Sequence, residues 1–262
     1  MLRGVFFDLG GTLFQHLPRQ ATLDNLAWAL ETQGVGPVSE SLLQGYPPLR
    51  AAVEQRFAER AFFLHQELVL EAAAAFAREL QDAVPATFDA ERFARTFYAL
   101  QRSAVTEHLA PRDDAAHVLQ TLREWGYFVA IVSNIDEDYL GPLLARVPDF
   151  AAVDLVLSSE LCRSCKPDAA IFQQAFARSG VPATEVLYVG DSRTNDVLGA
   201  GRLGCRTAWL TCDQPPAEVA SVRRTLADTA AGLDPAVPDL CITTLSELLD
   251  VLQPAAPNAF RR

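Results

Sequence analysis

The sequence predicts an α/β fold, a doubly wound parallel sheet into which an all-helical segment is inserted. After residue 111, short apolar runs typical of buried strands alternate with amphipathic stretches of helical length. A similar apolar run, Leu2 to Leu9, opens the chain, and residues 17–108 show helical spacing without strand-like alternation. Strands that alternate with helices pair in parallel through right-handed crossovers, so the opening run belongs to the same sheet.

The first elements are a strand and a series of helices. The strand centres on Val5–Phe7 and runs into the turn Asp8–Thr12. Apolar residues then recur at helical spacing from Leu23 to Leu30, from Phe57 to Phe76 and from Phe93 to Leu100. Breaks between helices are expected where glycine and proline occur, at Gly34–Pro37, Pro47–Pro48 and Pro85.

The second half of the chain supplies the rest of the sheet. The predicted strands are 128–132, 155–157, 186–189, 207–210 and 241–242. The predicted helices are 115–125, 139–146, 169–179, a segment that starts at Asp196, and 245–252. We therefore assign residues 1–16 and 109–262 to an α/β core domain and residues 17–108 to a helical domain.

Charge and composition exclude several classes of partner. The 262 residues carry a net charge of −11, which disfavours binding to nucleic acid and to anionic membranes. No apolar run approaches the ~20 residues that span a bilayer, and the first residues lack the form of a signal peptide. We expect a cytoplasmic protein without nucleic-acid or membrane partners.

The five cysteines have irregular spacing, which does not suggest a disulfide framework. Cys162 and Cys165 form a C-x-x-C pair, but a zinc site would need further ligands at suitable spacing. The simpler interpretation is two incidental loop residues, and a redox influence on the neighbouring Lys166 stays open.

Lys166 is the only lysine in the chain, and the other residues among the 22 lysines and arginines are all arginine. Lysine is a compact ammonium, whereas arginine is a planar fork. A lysine that neutralises a phosphoryl oxygen and a carboxylate in a narrow pocket cannot be exchanged freely. Its persistence makes Lys166 a candidate functional residue.

Four side chains with chemical use follow predicted strands: Asp8, Ser133, Lys166 and Asp191. Because ligands bind at the carboxyl ends of parallel strands, we expect them to meet. Asp8 can be a carboxylate nucleophile, and Asp8 and Asp191 can give Mg²⁺ the oxygen ligands that it prefers. Ser133 can hold a phosphoryl oxygen while Lys166 neutralises the charge that develops. The set fits phosphoryl transfer.

Four motifs resemble those of the haloacid-dehalogenase (HAD) superfamily in order and spacing. They are D-L-G-G-T-L at Asp8–Leu13, V-S-N at Val132–Asn134, K-P-D at Lys166–Asp168 and V-G-D-S-x-x-N-D at Val189–Asp196. The helical segment looks like the family's helical cap, placed just after the first motif. The most similar branch is that of the HDHD-type and phosphoglycolate-phosphatase-like hydrolases.

The resemblance implies a Mg²⁺-dependent phosphatase of a small phosphorylated metabolite that uses an aspartyl-phosphate intermediate. The metal ligands would be Asp8, the backbone carbonyl of Gly10 and Asp191. The substrate would be held by Thr12, Ser133 and Asn134. The catalytic residues would be Asp8, Ser133 and Lys166, with Asp196 supporting Lys166 or a metal-bound water.

Gly10 departs from the family's pattern, because the phosphatases usually read Asp-x-Asp at the first motif. In the family, that second aspartate protonates the leaving group and then activates water, and such help is worth ~10²–10⁴-fold. We therefore expect either a weak phosphatase or one in which another group does this work. The alternative is a non-catalytic protein of the same fold that binds a ligand or a partner.

Other activities of the family fit less well. Its dehalogenases usually carry Asp-x-Tyr at the first motif, whereas this chain has Gly10 and the metal-type pair Gly190-Asp191. Its phosphonoacetaldehyde hydrolases need a lysine in the cap, where this chain has none, and its mutases depend on the missing aspartate.

Two further groups of residues lie in or beside the cap. His16 and His108 fall where its linkers should be, and either could replace the missing acid, although hinge packing is the simpler interpretation. Three arginines could meet an anionic substrate, although we prefer to interpret them as a solvated helix face: Arg50, Arg56 and Arg60.

Overall fold

The computed structural model describes residues 1–80, 84–211 and 234–254. Over these residues the chain has the predicted α/β fold, with one six-stranded sheet in which every pairing is parallel. All six predicted strands are confirmed. They are β1 (Gly4–Phe7), β2 (Phe128–Ser133), β3 (Leu155–Ser158), β4 (Val186–Gly190), β5 (Arg206–Leu210) and β6 (Leu240–Ile242).

The strand order, β3-β2-β1-β4-β5-β6, sets the place of the site. The chain moves from β1 to β2 and β3 on one side and then returns to β4 on the other side of β1. β1 and β4 therefore flank the switch point, where open α/β sheets bind ligands beyond the carboxyl ends of their strands. Asp8 follows β1 and Asp191 follows β4, so the topology brings both carboxylates to this crevice.

β1 lies at the centre of the sheet, between β2 and β4. Its residues Val5, Phe6 and Phe7 are all 0 % exposed, because helices cover both faces of a parallel sheet. This explains the unbroken apolar run in the sequence. The ladder continues one residue further, since the N–H of Asp8 donates to the carbonyl of Val189 at 2.9 Å.

Helices make up most of the remaining described chain. Those before β2 are α1 (Arg19–Glu31), α2 (Glu40–Leu43), α3 (Tyr46–Phe57), α4 (His65–Glu79), α5 (Ala90–Ser103) and α6 (Ala115–Glu124). Those after it are α7 (Glu137–Arg146), α8 (Pro148–Ala151), α9 (Ser159–Cys162), α10 (Ala169–Ser179), α11 (Gly199–Gly201) and α12 (Glu247–Val251). Two π-helical turns add Ala104–His108 after α5 and Arg193–Leu198 before α11. Within the described ranges, no helix has the length and apolar character needed to cross a membrane.

Some helix boundaries differ from the prediction. Pro47 and Pro48 lie in the first turn of α3 instead of at a break, because the N–H groups of a first turn have no intrahelical partner to lose. The apolar repeat from Phe57 to Phe76 does not form one helix. Phe57 is the last residue of α3, residues 58–64 connect the two helices, and the rest of the repeat lies in α4. α8 and α9 were not predicted, since a single turn is too short to show periodicity.

The chain divides into two compact units. The α/β unit comprises Met1–Gln15, Ala110–Asn134 and Leu144–Arg262, and the helical unit comprises His16–Leu109 and Ile135–Leu143. The prediction had placed residues 135–143 in the α/β domain. The structure places them in the helical unit, because their side chains form hydrogen bonds and apolar contacts with residues of that unit.

The contacts of residues 135–143 show why. Both carboxylate oxygens of Asp136 accept backbone N–H groups at the start of α4, from His65 at 2.7 Å and Gln66 at 2.8 Å. Tyr139 is buried in the apolar core of the helical unit, and Asp138 accepts a hydrogen bond from the Tyr98 hydroxyl at 2.7 Å. Sequence periodicity does not reveal such pairings, since they join segments distant along the chain.

Candidate active site

Lys166 and two aspartates form the buried centre of the site in the α/β unit. The Nζ atom of Lys166 lies 2.5 Å from Oδ1 of Asp8 and 2.7 Å from Oδ1 of Asp196. The exposed fractions are 6 % for Asp8, 4 % for Lys166 and 1 % for Asp196. Buried charges persist only when they are paired and hydrogen-bonded, and each of these three is.

The buried pair changes the acidity of its members. Burial alone would lower the pKa of Lys166, but the carboxylates of Asp196 and Asp8 outweigh it and hold that pKa well above 10.5. Burial raises the pKa of Asp196 to about 7, against the opposing effects of Lys166 and of the Ser192 N–H. Lys166 therefore carries its positive charge at neutral pH.

Ser133 and Asn134, at the end of β2, lie beside Asp8 and Lys166. The Ser133 hydroxyl donates to Oδ1 of Asp8 at 3.0 Å, so this oxygen receives both Ser133 and Lys166. The Asn134 side chain binds the backbone of Lys166 twice, with its Oδ1 accepting the N–H at 2.7 Å and its Nδ2 donating to the carbonyl at 2.9 Å. Asn134 therefore fixes the loop that carries Lys166, and its predicted contact with substrate stays a prediction.

Asp191 completes a cluster of three carboxylates. One oxygen each from Asp8, Asp191 and Asp196 can be chosen so that all three lie within 4.8 Å of one another. Thr12, which is fully buried, places its hydroxyl 3.5 Å from Oδ1 of Asp191, which is long for a hydrogen bond. The cluster has the hard oxygen donors that Mg²⁺ prefers.

The loop after β4 is closely packed around Asp196. A Cβ atom at Gly190 would lie 2.3 Å from the Asp196 side chain, so only glycine fits there. The Ser192 N–H donates to Oδ2 of Asp196 at 2.9 Å, and the N–H of Val197 binds the carbonyl of Ser192 in a π turn. The helix predicted to start at Asp196 therefore begins at Arg193, and its widened turn directs Asp196 to Lys166.

Gly10 is exposed and lies in open space. A Cβ atom built there would meet no atom within 4 Å, and the backbone of Gly10 is not in the left-handed region. Neither packing nor conformation therefore requires glycine at this position. The neighbouring Gly11 does have a positive φ of 79°, which explains a glycine at that position.

Two aromatic residues of the site were missed by the sequence analysis. The hydroxyl of Tyr188, on β4, accepts from Nζ of Lys166 at 3.0 Å and donates to the carbonyl of Val132 at 2.7 Å. The indole N–H of Trp209, on β5, donates to the carbonyl of Asp191 at 2.8 Å. Both residues lie within apolar strand segments. An aromatic residue in such a segment is expected to pack in the core, and the sequence does not show which hydrogen bond its polar atom makes.

The cysteines and histidines considered in the sequence differ in burial. Cys162 and Cys165 are buried thiols that are not joined in a disulfide. His16 and His108 are exposed and belong to the helical unit. A role for either histidine as the replacement acid stays a prediction.

Comparison with known proteins agrees with the motifs. The model of the haloacid dehalogenase-like hydrolases matches residues 2–204, and a second HAD-like hydrolase model matches residues 164–248. The ribulose-1,5-bisphosphate 5-phosphatase of Halopiger xanaduensis is 29 % identical over 253 residues, which cover 96 % of this chain and all of that enzyme.

Solved structures show the same fold. A dehalogenase superposes with a TM-score of 0.65 at 25 % identity, covering 96 % of this chain and 97 % of its own. The HAD-hydrolase YfnB of Bacillus subtilis, solved bound to magnesium, superposes with a TM-score of 0.68 at 21 % identity. The match covers 95 % of this chain and 98 % of the YfnB chain. Because the family model spans most of the chain and the four motifs meet at the switch point of the sheet, the chain belongs to the haloacid dehalogenase-like hydrolases and is an enzyme of that family.

Proposed function

We propose that this hydrolase is a Mg²⁺-dependent phosphomonoesterase of a small phosphorylated metabolite and that Asp8 is its nucleophile. The observation that carries the proposal is the cluster of Asp8, Asp191 and Asp196 at the switch point of the sheet, where Lys166 pairs with Asp8 and Asp196. Full-length similarity to a sugar-bisphosphate phosphatase supports the same class of reaction.

The donor set fits magnesium. When Asp8, Asp191 and Asp196 are all ionised, the three carboxylates and the ammonium of Lys166 carry an excess of two negative charges, which a divalent cation would neutralise. Asp8, Asp191 and the carbonyl of Gly10 would hold the ion, and Asp196 would stay with Lys166. The ion supplies charge neutralisation, which lets an anionic phosphate approach an anionic carboxylate.

Asp8 would carry the covalent chemistry. Ser133 and Lys166 both bind its Oδ1, so we assign the attack on phosphorus to Oδ2. As the Asp8–phosphorus bond forms, the bond from phosphorus to the leaving oxygen breaks. Water then attacks the phosphorus, the bond to Asp8 breaks, and inorganic phosphate leaves. Lys166 and Ser133 would stabilise the charge on the phosphoryl oxygens, as fixed donors do in other such sites.

The first motif of this site lacks the side chain that would donate a proton to the leaving group. An alkoxide needs a proton as its bond to phosphorus breaks, and Gly10 has no side chain to give one. An aryl oxide is a better leaving group and needs less help. The proposal therefore includes slow turnover of alkyl phosphates.

The experiment is a turnover screen with Mg²⁺. It compares ribulose 1,5-bisphosphate, taken from the Halopiger relative, with other sugar phosphates, phosphoglycolate, p-nitrophenyl phosphate and a 2-haloacid. Release of phosphate that disappears in Asp8→Asn supports the proposal. Release of halide without release of phosphate contradicts it, and so does the absence of phosphate release from all of these phosphorylated compounds.

A further inference from the structure

Tyr188 has a buried hydroxyl that makes two hydrogen bonds inside the candidate active site. The residue lies on β4 and is 1 % exposed. Its oxygen lies 3.0 Å from Nζ of Lys166 and 2.7 Å from the carbonyl oxygen of Val132 on β2. Because β2 and β4 flank β1, the hydroxyl links the two strands on either side of the strand that leads to Asp8.

The direction of both bonds follows from the chemistry of the groups. An ammonium has three donors and no acceptor, so Lys166 donates to Tyr188, whose own hydrogen is then donated to Val132. Burial holds the pKa of Tyr188 well above 10.0, against the opposing charge of Lys166, so the hydroxyl keeps its hydrogen at neutral pH. With Asp8 and Asp196, Tyr188 gives the ammonium one acceptor for each of its three hydrogens.

The bond to Val132 leads to Ser133. The Val132 carbonyl belongs to the peptide bond that precedes Ser133, and the Ser133 hydroxyl donates to Oδ1 of Asp8 at 3.0 Å. Lys166 donates to the same oxygen at 2.5 Å. The hydroxyl of Tyr188 therefore contacts Lys166 directly and the backbone beside Ser133, and both of these residues bind Oδ1 of Asp8.

Tyr127, in the same α/β unit, shows a simpler arrangement of a buried hydroxyl. It is 7 % exposed, and its hydroxyl donates to the backbone carbonyl of Gln253 at 2.7 Å. One bond of this kind is enough to satisfy a buried hydroxyl. Tyr188 makes one such bond and also accepts from the ammonium of Lys166, so packing alone does not account for its hydroxyl.

We propose that Tyr188 is a positioning residue for the reaction, whose hydroxyl holds Lys166 and the end of β2 so that Lys166 and Ser133 both bind Oδ1 of Asp8. This inference rests on the proposed function, in which these two donors stabilise the phosphoryl oxygens while Oδ2 of Asp8 attacks. Tyr188 acts through Lys166 and Ser133. Since donors act on a transition state only when they are correctly placed, loss of the hydroxyl should slow the chemical step.

The test compares Tyr188→Phe with the matched control Tyr127→Phe. Tyr188→Phe removes the hydroxyl and keeps the ring, whose centroid lies 5.2 Å from that of Phe172. The control also removes one buried tyrosine hydroxyl from the α/β unit, but the bond that is lost goes to the backbone of Gln253.

Two NMR signals report on the two ends of the bridge and need no turnover. Lys166 is the only lysine, so lysine labelled with ¹⁵N at Nζ gives one ammonium signal. Valine precedes serine only at Val38–Ser39 and Val132–Ser133, so carbonyl-¹³C valine combined with ¹⁵N serine gives one signal for each of these peptide bonds.

Tyr188→Phe should shift the ammonium signal and the Val132–Ser133 signal and leave the Val38–Ser39 signal in place. Exchange of the ammonium hydrogens with water should become at least about tenfold faster, as expected when a charged group loses a hydrogen bond. Tyr127→Phe should match the wild type in all three signals.

Kinetics with p-nitrophenyl phosphate and Mg²⁺ test the role in the reaction. Tyr188→Phe should lower kcat by about 10- to 10²-fold and change KM by less than about twofold, because a misplaced donor affects the transition state more than substrate binding. Tyr127→Phe should keep the wild-type kcat and KM.

Unshifted signals in folded Tyr188→Phe, or a wild-type kcat in this variant, overturn the proposal. A wild-type ammonium that exchanges as fast as that of free lysine also overturns it, even if Tyr188→Phe does not fold. Absence of turnover by the wild type counts against the proposed function instead. In that case the two NMR signals still decide whether Tyr188 holds Lys166 and the end of β2.

Discussion

The ammonium of Lys166 lies 2.5 Å from the carboxylate of Asp8, although 158 residues separate the two in the sequence. This ion pair joins the candidate nucleophile of the first motif to the only lysine of the chain. The same ammonium donates to Asp196 at 2.7 Å and to the Tyr188 hydroxyl at 3.0 Å, so three acceptors fix the position of Lys166 Nζ. The chemistry that we propose depends on this fixed charge beside Asp8.

Lys166→Arg is expected to lower kcat by at least ~10²-fold, the usual cost of losing one placed donor in a site of this kind. The charge is kept, but a planar fork does not fit a pocket in which Lys166 is 4 % exposed and meets acceptors on three sides. Steady-state kinetics with an aryl phosphate measures the effect. Full activity of this variant would show that the lysine survived by chance.

Magnesium is expected to raise the melting temperature, because a ligand that binds only the folded state stabilises it. At a concentration 100 times the Kd, the gain is about 2.7 kcal/mol. Asp191→Ala should abolish this gain, since it removes a proposed ligand without touching the ion pairs of Lys166. Differential scanning calorimetry with and without millimolar Mg²⁺ makes the comparison. An equal shift in both proteins would contradict the assignment of Asp191.

The sequence was sufficient to predict the sheet and to name candidate residues that the structure brings together. Strands buried on both faces give unbroken apolar runs, so all six strands of the described residues could be predicted, and polar residues directly after such runs pointed to Asp8, Ser133 and Asp191 as candidates. The one-residue widening of the turn at Arg193–Leu198 was not predictable, because periodicity cannot separate a π turn from the start of an α-helix.

The contributions of Tyr188, Trp209 and residues 135–143 could not be predicted. The Tyr188 hydroxyl makes two hydrogen bonds and the Trp209 indole N–H makes one, but sequence patterns record only the apolar rings that carry these polar atoms. Residues 135–143 join the helical unit through Asp136 and Asp138, whose partners are distant in the sequence. Contacts of this kind are set by tertiary packing, which local propensity does not contain.

Stability is expected to fall in mild acid because of His65. Burial, with a further contribution from the charge of Arg50, lowers the pKa of His65 to about 4, against the favourable effect of Asp138. The folded pKa lies below the unfolded value of 6.5, so the unfolded state binds more protons between these two values. Stability is therefore lost as the pH falls from about 6.5 to about 4, and this contribution is constant below that window.

The groups that face His65 determine the control. Its backbone N–H is held by Asp136, its ring packs on Tyr139 at 5.7 Å, and Arg50 and Asp138 act on its charge. His65→Gln removes the titration and leaves these groups in place. Urea unfolding of both proteins at pH 7.5 and pH 4.5 should show a larger loss of stability in the wild type. An equal loss would mean that His65 is protonated as readily in the folded protein.

Gly10→Asp is expected to raise turnover of an alkyl phosphate, by at most the ~10²–10⁴-fold usual for an acid–base group, and to raise that of an aryl phosphate less. The position can take the side chain, since a Cβ atom there meets nothing within 4 Å. Parallel assays with sugar phosphates and p-nitrophenyl phosphate measure the two gains, with Asp8→Asn/Gly10→Asp as the inert control. Unchanged or lower alkyl turnover in a folded, Mg²⁺-binding variant would mean that the missing acid is not limiting.

The most direct test of the central claim is to look for the phosphoryl group on Asp8 itself. Without an aspartate at position 10 to activate water, hydrolysis of the intermediate should be slower than its formation from an aryl phosphate. The wild type with Mg²⁺ and p-nitrophenyl phosphate should therefore give a burst of p-nitrophenol close to one per enzyme. Mass spectrometry after acid quenching should find one added phosphoryl group at Asp8, and Asp8→Asn should show neither signal. Continued turnover with no burst and an unmodified Asp8, or an Asp8→Asn variant that keeps more than about a tenth of the activity, would contradict the account.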